Sequence, residues 1–413
     1  MNIAIIGSGP AGCYVAEHLL RLIPGASIDI LEKLPVPFGL IRYGVAPDHQ
    51  STKNVARVFD RVLSRDRVSF FGNVEVGRDV ELDELLSFYD AVVLATGAAR
   101  DRRLGIPGED LPGVTGSGAF VGWYNGHPHA QPPSVNDVRE AVVIGNGNVA
   151  LDVARILAKG REELSGSDLP TEVLDWLHAQ PLEAIHIVGR RSAAEAKFND
   201  HELAEIGTLQ RARPIVSSSD ITGGGAVAEV LRNFAEAPPR ETSVSIHFHF
   251  NLAPAAFVGY DTLRAVQFRS TAGETVEIPA QLAVTCIGYE SLPCCSATPE
   301  NGVFANDCGK VDDRLYVVGW AKRGPSGTIP TNRVEAQQVA QKIAQEIQSA
   351  SRPKTPALRH LLDERGCRAV DYDGWKRIDA MELSRAGAAR CREKLCSTNE
   401  MLEAALAGQL RPA

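Results

Sequence analysis

No apolar run in the 413-residue chain reaches the length of a membrane-spanning helix, none of its eight cysteines stands in a C-x-x-C, and positive charge is not in excess. The first absence excludes a transmembrane helix. The second removes the close dithiol of thiol-exchange sites and the spaced ligand set of an iron–sulfur cluster. Cys13, Cys286, Cys294, Cys295, Cys308, Cys367, Cys391 and Cys396 are scattered, and even the adjacent Cys294–Cys295 and the pair Cys391 and Cys396 read as reduced bystanders. The third absence, 43 Lys and Arg against 51 Asp and Glu for a net charge of -8, argues against general nucleic-acid binding. A strand beginning at residue 2 leaves no room for a targeting segment, so a cytoplasmic protein is expected. No residue set reads as a metal site, and no extended apolar interface helix stands out, which favours a monomer.

What is present begins at once. Ile3-Ala4-Ile5-Ile6 reads as a strand buried on both faces, and Ala11, Val15, Ala16, Leu19 and Leu20 recur at helical spacing. Between them Gly7 allows a tight turn, Gly9 lets backbone approach a pyrophosphate, and Gly12 lets helix lie close to strand. A second strand, 27–31, ends at Glu32, where a carboxylate can accept from ribose hydroxyls. Strand, glycines, helix, strand and acid in this order predict a dinucleotide site with phosphates at the helix N-terminus.

The motif returns in the middle of the chain. Strand 140–144 runs into Gly145-Asn146-Gly147-Asn148-Val149-Ala150 and a helix through Asp152 and Leu157, with Ala150 in the third glycine position. Its second strand, 185–188, is followed by Gly189-Arg190-Arg191 in place of an acid. Two guanidinium groups there suit a 2'-phosphate, which selects NADPH over NADH. Two complete sites in one chain imply that one holds a flavin and the other delivers a hydride. A long connection after Lys159 is expected to add a small helix at 171–177.

The intervening stretches support the flavin half. Residues 33–40, rich in proline and glycine, are expected to wrap the ligand as a loop. A helix from Ser51 carries Lys53, Arg57, Arg61 and Arg65 and reads as a solvated basic face. Strand 91–97 and strand 315–320 end in small residues beside a nucleotide, and a helix through Val334 to Ile347 follows Gly327-Thr328-Ile329, its free amides suited to negative charge on a reduced flavin. The fold class is therefore α/β, with two Rossmann-like, three-layer dinucleotide-binding domains. The NADP domain (106–287) is inserted into a discontinuous FAD domain (1–105 and 288–413, the second part ending in a C-terminal tail).

With these residues the sequence resembles the ferredoxin-NADP reductases of the adrenodoxin reductase type. The likeness is carried by Gly7 to Gly12, Pro37-Phe38-Gly39-Leu40 through Asp48-His49, Gly72 to Gly77, Ala119 to Gly126, Gly147 to Asp152, Val188 to Arg191, Gly319-Trp320 to Gly327, and the tail at Leu361-Leu362-Asp363 and Asp373-Gly374-Trp375. The resemblance implies FAD contacts from Ala11, Glu32, Leu40, Val76, Trp320 and Gly327 to Ile329. It implies NADP(H) contacts from Arg102, Asn146 to Val149, Arg190, Arg191, Glu202 and Gly327. His49, Asp152 and Glu205 match polar positions near flavin and nicotinamide, and both a buried hydrogen-bonded cluster and proton handling stay open for them. Trp320 is expected to cover the flavin or restrict nicotinamide entry, though core packing suits it too. The expected activity is hydride transfer from NADPH to FAD and single-electron release to an acidic ferredoxin-type iron–sulfur protein. Reduction of a small molecule such as a quinone is the alternative. Departures include a shortened segment 214–247, which leaves Arg232 and Arg240 open as docking residues, and Thr328 in place of an apolar residue.

Overall fold

The computed structural model describes residues 1–347 and 357–407, and the chain falls into two compact units, Met1–Arg100 with Tyr289–Ala413, and Asp101–Gly288. In the first unit a six-stranded sheet runs in the order Lys310–Asp312, Leu315–Val317, Ala91–Leu94, Asn2–Ile6, Ser27–Glu32, Val68–Gly72. All neighbours are parallel except the Lys310–Asp312 edge. Alternation along the strands sends side chains to opposite layers. Ile3 and Ile5 pack with Val15, Leu19 and Val339, while Ala4 and Ile6 pack with Leu82, Leu85, Leu358 and Leu362. The chain order reverses between Asn2–Ile6 and Ala91–Leu94, so a crevice opens beyond their carboxyl ends.

The second unit holds a parallel sheet in the order Val114–Gly116, Leu282–Thr285, Glu140–Ile144, Ala184–Val188, Val244–His249, Ala212–Val216. Helix Asn148–Ala158 covers one face through Leu151, Ala154 and Ile156. The other face is covered by a three-stranded antiparallel sheet, Leu252–Gly259, Leu263–Ser270 and Thr275–Pro279, through Phe257, Val266 and Phe268 against Val142, Ile144 and Val188. Helix Thr171–Ala179 fills the long connection.

The basic helix expected from Ser51 is different in the structure. A short helix, Gln50–Lys53, is followed by Asn54 and Val55 and then helix Ala56–Leu63. The break turns Lys53 inward, where its Nζ donates to the Arg42 carbonyl at 3.3 Å, and leaves Arg57, Arg61 and Arg65 exposed. Arg240 likewise donates to the carbonyls of Leu209 and Ala212, so it fastens backbone.

One face of the second sheet carries three stacked imidazoles. The ring of His186 lies 4.9 Å from His247 and 5.3 Å from His249, with His186 Nδ1 and His249 Nε2 3.1 Å apart. Burial, then the neighbouring rings, pushes His186 down to about 3 and His249 to about 4, and burial with Arg213 lowers His247. Glu140 at 3.4 Å favours a charged His186, but burial outweighs it. His186 and His249 are thus neutral in the folded chain at pH 7 and have an ordinary value near 6.5 when unfolded. Between those limits the unfolded chain binds more protons, so this contribution to stability is lost as pH falls below 6.5. The expected result is that His186→Gln loses less melting temperature between pH 7 and pH 5 than the parent; an identical loss in both refutes it.

Candidate functional site

The first unit builds its site from the ends of its central strands. Gly7 has φ +111°, and a Cβ there would meet the Ala95 carbonyl oxygen at 2.4 Å; at Gly12 it would meet the Gly7 oxygen at 2.1 Å. These two glycines are demanded by the protein's own backbone. Gly9 is not, since a Cβ there would find no protein atom within 4 Å. The space above Gly9 is therefore a cradle open to a ligand, at the N-terminus of helix Pro10–Leu22. Glu32 is aimed beside it, accepting from Ser8 N–H (3.1 Å), Ser8 Oγ (2.7 Å) and Leu34 N–H (3.2 Å). The loop before Leu40 closes on the same place, with Phe38 N–H donating to the Ser8 carbonyl at 3.2 Å and Gly39, φ +47°, packed against Gly9. Leu40 leaves 44% of its surface exposed there.

The later segment enters beside the same helix, since a Cβ on Gly319 would stand 2.6 Å from Ala11 Cβ. Trp320 stacks on Tyr289 with centroids 5.8 Å apart, and its Nε1 donates to the Ser326 carbonyl at 3.1 Å. Gly327 has φ +79°, and Thr328 caps helix Ile329–Glu346, its N–H donating to Thr331 Oγ1 at 3.1 Å. Thr328 Oγ1 lies 3.4 Å from the same hydroxyl, so its side chain serves the cap. Val76 is half-buried, two residues past Val74, whose N–H donates to the Glu32 carbonyl. His49 is also in this unit, its carbonyl accepting from the N–H groups of Thr52 and Lys53. The Thr96 hydroxyl beyond strand Ala91–Leu94 is buried without a hydrogen-bond partner, as a polar ligand would require. Open cradle, aimed carboxylate, orphaned hydroxyl and helix N-termini fit a dinucleotide such as FAD.

The second unit repeats the arrangement. A Cβ on Gly145 would meet the Cys286 oxygen at 2.4 Å, whereas Gly147 again has nothing within 4 Å. The loop is fastened by Lys197 N–H to the Asn146 carbonyl and Asn199 N–H to Asn148 Oδ1, both 2.7 Å. Gly189 leaves room for the Asn146 amide, which a Cβ would overlap at 1.6 Å. Val149 is partly buried on the core. Arg190 and Arg191 are exposed beyond strand Ala184–Val188, and Arg191 Nε approaches Glu195 only to 3.9 Å. Arg102, also exposed, anchors its N–H on the Gly288 carbonyl. Glu202 lies half-buried on helix Asp200–Ile206.

Asp152 and Glu205 are brought together by a residue that motif reading passes over. Arg155, 2% exposed, reaches Asp152 Oδ1 at 2.5 Å and places Nε 3.7 Å from Glu205 Oε2. The only signal for it in sequence is an arginine three positions after Asp152 on an otherwise apolar helix face. His49 belongs to the first unit. Among the described residues no cysteine is in a disulfide, and burial together with the neighbouring Cys295 pushes the Cys294 thiol up to about 12. Among the described residues no group of three or more His, Cys, Asp or Glu is placed to hold a metal ion, and no helix is long and apolar enough to cross a membrane.

The open cradle gives a direct test. Gly9→Ala is expected to leave the apoprotein's melting temperature nearly unchanged while weakening FAD binding by about a hundredfold, the loss expected when a methyl blocks close approach of backbone to a pyrophosphate. Full affinity in the variant would remove Gly9 from the site.

Residues 1–342 match the family model described as pyridine nucleotide-disulphide oxidoreductase. The chain is 39% identical to human mitochondrial NADPH:adrenodoxin oxidoreductase over 97% of its own length and 91% of that protein. It is also 39% identical to cindoxin reductase of Citrobacter braakii, over 97% and 90%. The solved structure of Mycobacterium tuberculosis FprA in complex with NADPH superposes with a TM-score of 0.93 at 35% identity, covering 98% of this chain and 99% of that one.

Proposed function

Because the chain belongs to the pyridine nucleotide-disulphide oxidoreductase family, and within it to the ferredoxin-NADP reductases of the adrenodoxin reductase type, we propose the following division of labour for its residues. The enzyme is an FAD-dependent reductase that passes a hydride from NADPH to FAD and single electrons on to a ferredoxin-type iron–sulfur protein. The observation that carries this reading is the pair of open glycine cradles at Gly9 and Gly147, followed by a carboxylate in one unit and by two arginines in the other.

In the flavin unit Gly9 lets backbone approach the pyrophosphate, Gly7 and Gly12 close the turn and bring helix onto strand, Ala11 lines the first helical turn, and Glu32 accepts from a ribose hydroxyl. Leu40 and Val76 give apolar contact, Trp320 covers the ring, and Gly327 to Ile329 present helix N–H groups to its negative charge. In the other unit Asn146 to Val149 cradle the NADP phosphates, Arg190 and Arg191 bind the 2'-phosphate, and Arg102 and Glu202 complete the contact. Asp152 and Glu205 act as positioning residues through Arg155, which ties helix Asn148–Ala158 to helix Asp200–Ile206. His49 orders the loop entering helix Gln50–Lys53 on the flavin side. The iron–sulfur partner is acidic, the enzyme monomeric and its location cytoplasmic.

The test is anaerobic mixing of the purified protein with NADPH, followed by oxidised [2Fe-2S] ferredoxin. Bleaching of the yellow colour and then ferredoxin reduction are expected, at a rate that falls with added salt. Bleaching with transfer only to quinones would replace the protein carrier with a small molecule, and no bleaching would refute NADPH as donor. Salt-independent ferredoxin reduction would remove the acidic character assigned to the partner.

A further inference from the structure

Residues 372–406 contribute nothing to either nucleotide motif, yet helix Tyr372–Arg385 carries a fully buried carboxylate, Glu382. That carboxylate accepts from both Nη atoms of buried Arg42, with Nη1 at 3.0 Å, from Arg392 Nη1 at 2.8 Å, and from Leu395 N–H at 2.9 Å. The Arg42 carbonyl accepts from Lys53 Nζ and Lys394 Nζ, each at 3.3 Å. The guanidinium also lies over the ring of Trp375, 5.7 Å from its centroid, and Trp375 meets Phe38 edge-on at 5.6 Å. Burial alone would raise the Glu382 carboxyl, but Arg42 and then Arg392 more than offset it and hold it below its usual range.

A buried ion pair is a poor way to gain stability, since apolar residues of similar volume often do as well; what its fixed geometry can supply is orientation. The element oriented here is the four-residue helix Leu40–Tyr43. It is too short to hold its own direction, and it begins at Gly39, which packs on Gly9. The preceding Phe38 is bonded to the Ser8 carbonyl, and Ser8 in turn holds Glu32. A continuous chain of contacts therefore runs from the tail to the open cradle.

We propose that Glu382, acting through Arg42, is a positioning residue for the FAD cradle, so that the C-terminal tail sets flavin affinity. The proposal rests on the reading that this unit binds FAD. It is tested by titration calorimetry of the apoprotein with FAD, with NADP+ binding to the other unit as control. Glu382→Gln is expected to raise the FAD dissociation constant by about tenfold to a hundredfold, part of the cost of breaking a buried pair, and to leave the NADP+ constant unchanged. Glu382→Asp, which keeps the charge, is expected to recover part of the loss.

A pair that only stabilises the fold would lower the melting temperature of apo- and holoprotein alike and leave the FAD constant of the folded protein at the parent value; that result overturns the proposal. Should Glu382→Gln not fold, Arg392→Gln removes a partner whose side chain is partly exposed. It is expected to raise the FAD constant by about threefold to tenfold, and no change overturns the proposal equally. Failure of the parent apoprotein to bind FAD would instead overturn the functional reading and is distinguishable from both.

Discussion

Replacing Arg190 and Arg191 together with alanine is expected to raise the Michaelis constant for NADPH by about two to four orders of magnitude while changing that for NADH by about twofold or less. The magnitude follows from two charge-assisted interactions, each worth about 1.5–3 kcal/mol, where every 1.4 kcal/mol is about tenfold. Both side chains are exposed beyond strand Ala184–Val188, and Glu195 at 3.9 Å from Arg191 is too distant for a strong competing bond. Their charge is therefore available to a ligand. Since NADH lacks the 2'-phosphate, it has no group that loses a partner. Steady-state kinetics with both coenzymes decide the matter: an equal loss with each would mean that the arginines support the loop rather than read the phosphate.

The second large effect concerns Arg155. Arg155→Met is expected to destabilise the NADP unit by about 2–3 kcal/mol, somewhat below the about 3–5 kcal/mol of a fully buried broken pair, because Glu205 remains partly exposed. Methionine fills much of the volume, so the loss reports the charges of Asp152 and Glu205 rather than a cavity. For a unit of this size the shift amounts to roughly 4–12 °C in melting temperature. Calorimetry with and without NADP+ reads it directly. A variant melting with the parent would show that Asp152 and Glu205 find equivalent partners elsewhere, and Arg155 would lose its organising role.

The Arg155 cluster and the Arg42–Glu382 pair mark the boundary of what sequence reading reaches. Gly7, Gly12 and Gly145 were legible because the spacing of a βαβ unit fixes where its glycines fall, although only Gly12 meets backbone of its own turn and Gly7 and Gly145 meet the neighbouring strands' ends at Ala95 and Cys286. Glu32 was legible for the same reason, at the end of the second strand. The structure adds how it is aimed, through Ser8 and Leu34. The helix from Ser51 misled because four basic residues at helical spacing look solvated, while the loop at Arg42 offers Lys53 a buried carbonyl.

No clear sequence pattern announces the antiparallel sheet that covers the NADP unit. Its strands alternate less cleanly than a two-faced strand should, and Leu252–Gly259 carries a register shift near Pro254.

By itself, then, the sequence determined the two glycine-rich turns, the buried parallel strands that lead into them and the change from acid to arginine between the two sites. Each site depends on residues within about thirty to fifty positions of one another, where backbone geometry leaves few alternatives. Only the tertiary structure decided that Arg155 joins Asp152 to Glu205, that Lys53 turns inward, and that Glu382 finds Arg42 across 340 positions. No local pattern encodes such pairs, because a buried charge takes whichever opposite charge packing brings to it, and packing is settled by the whole chain at once.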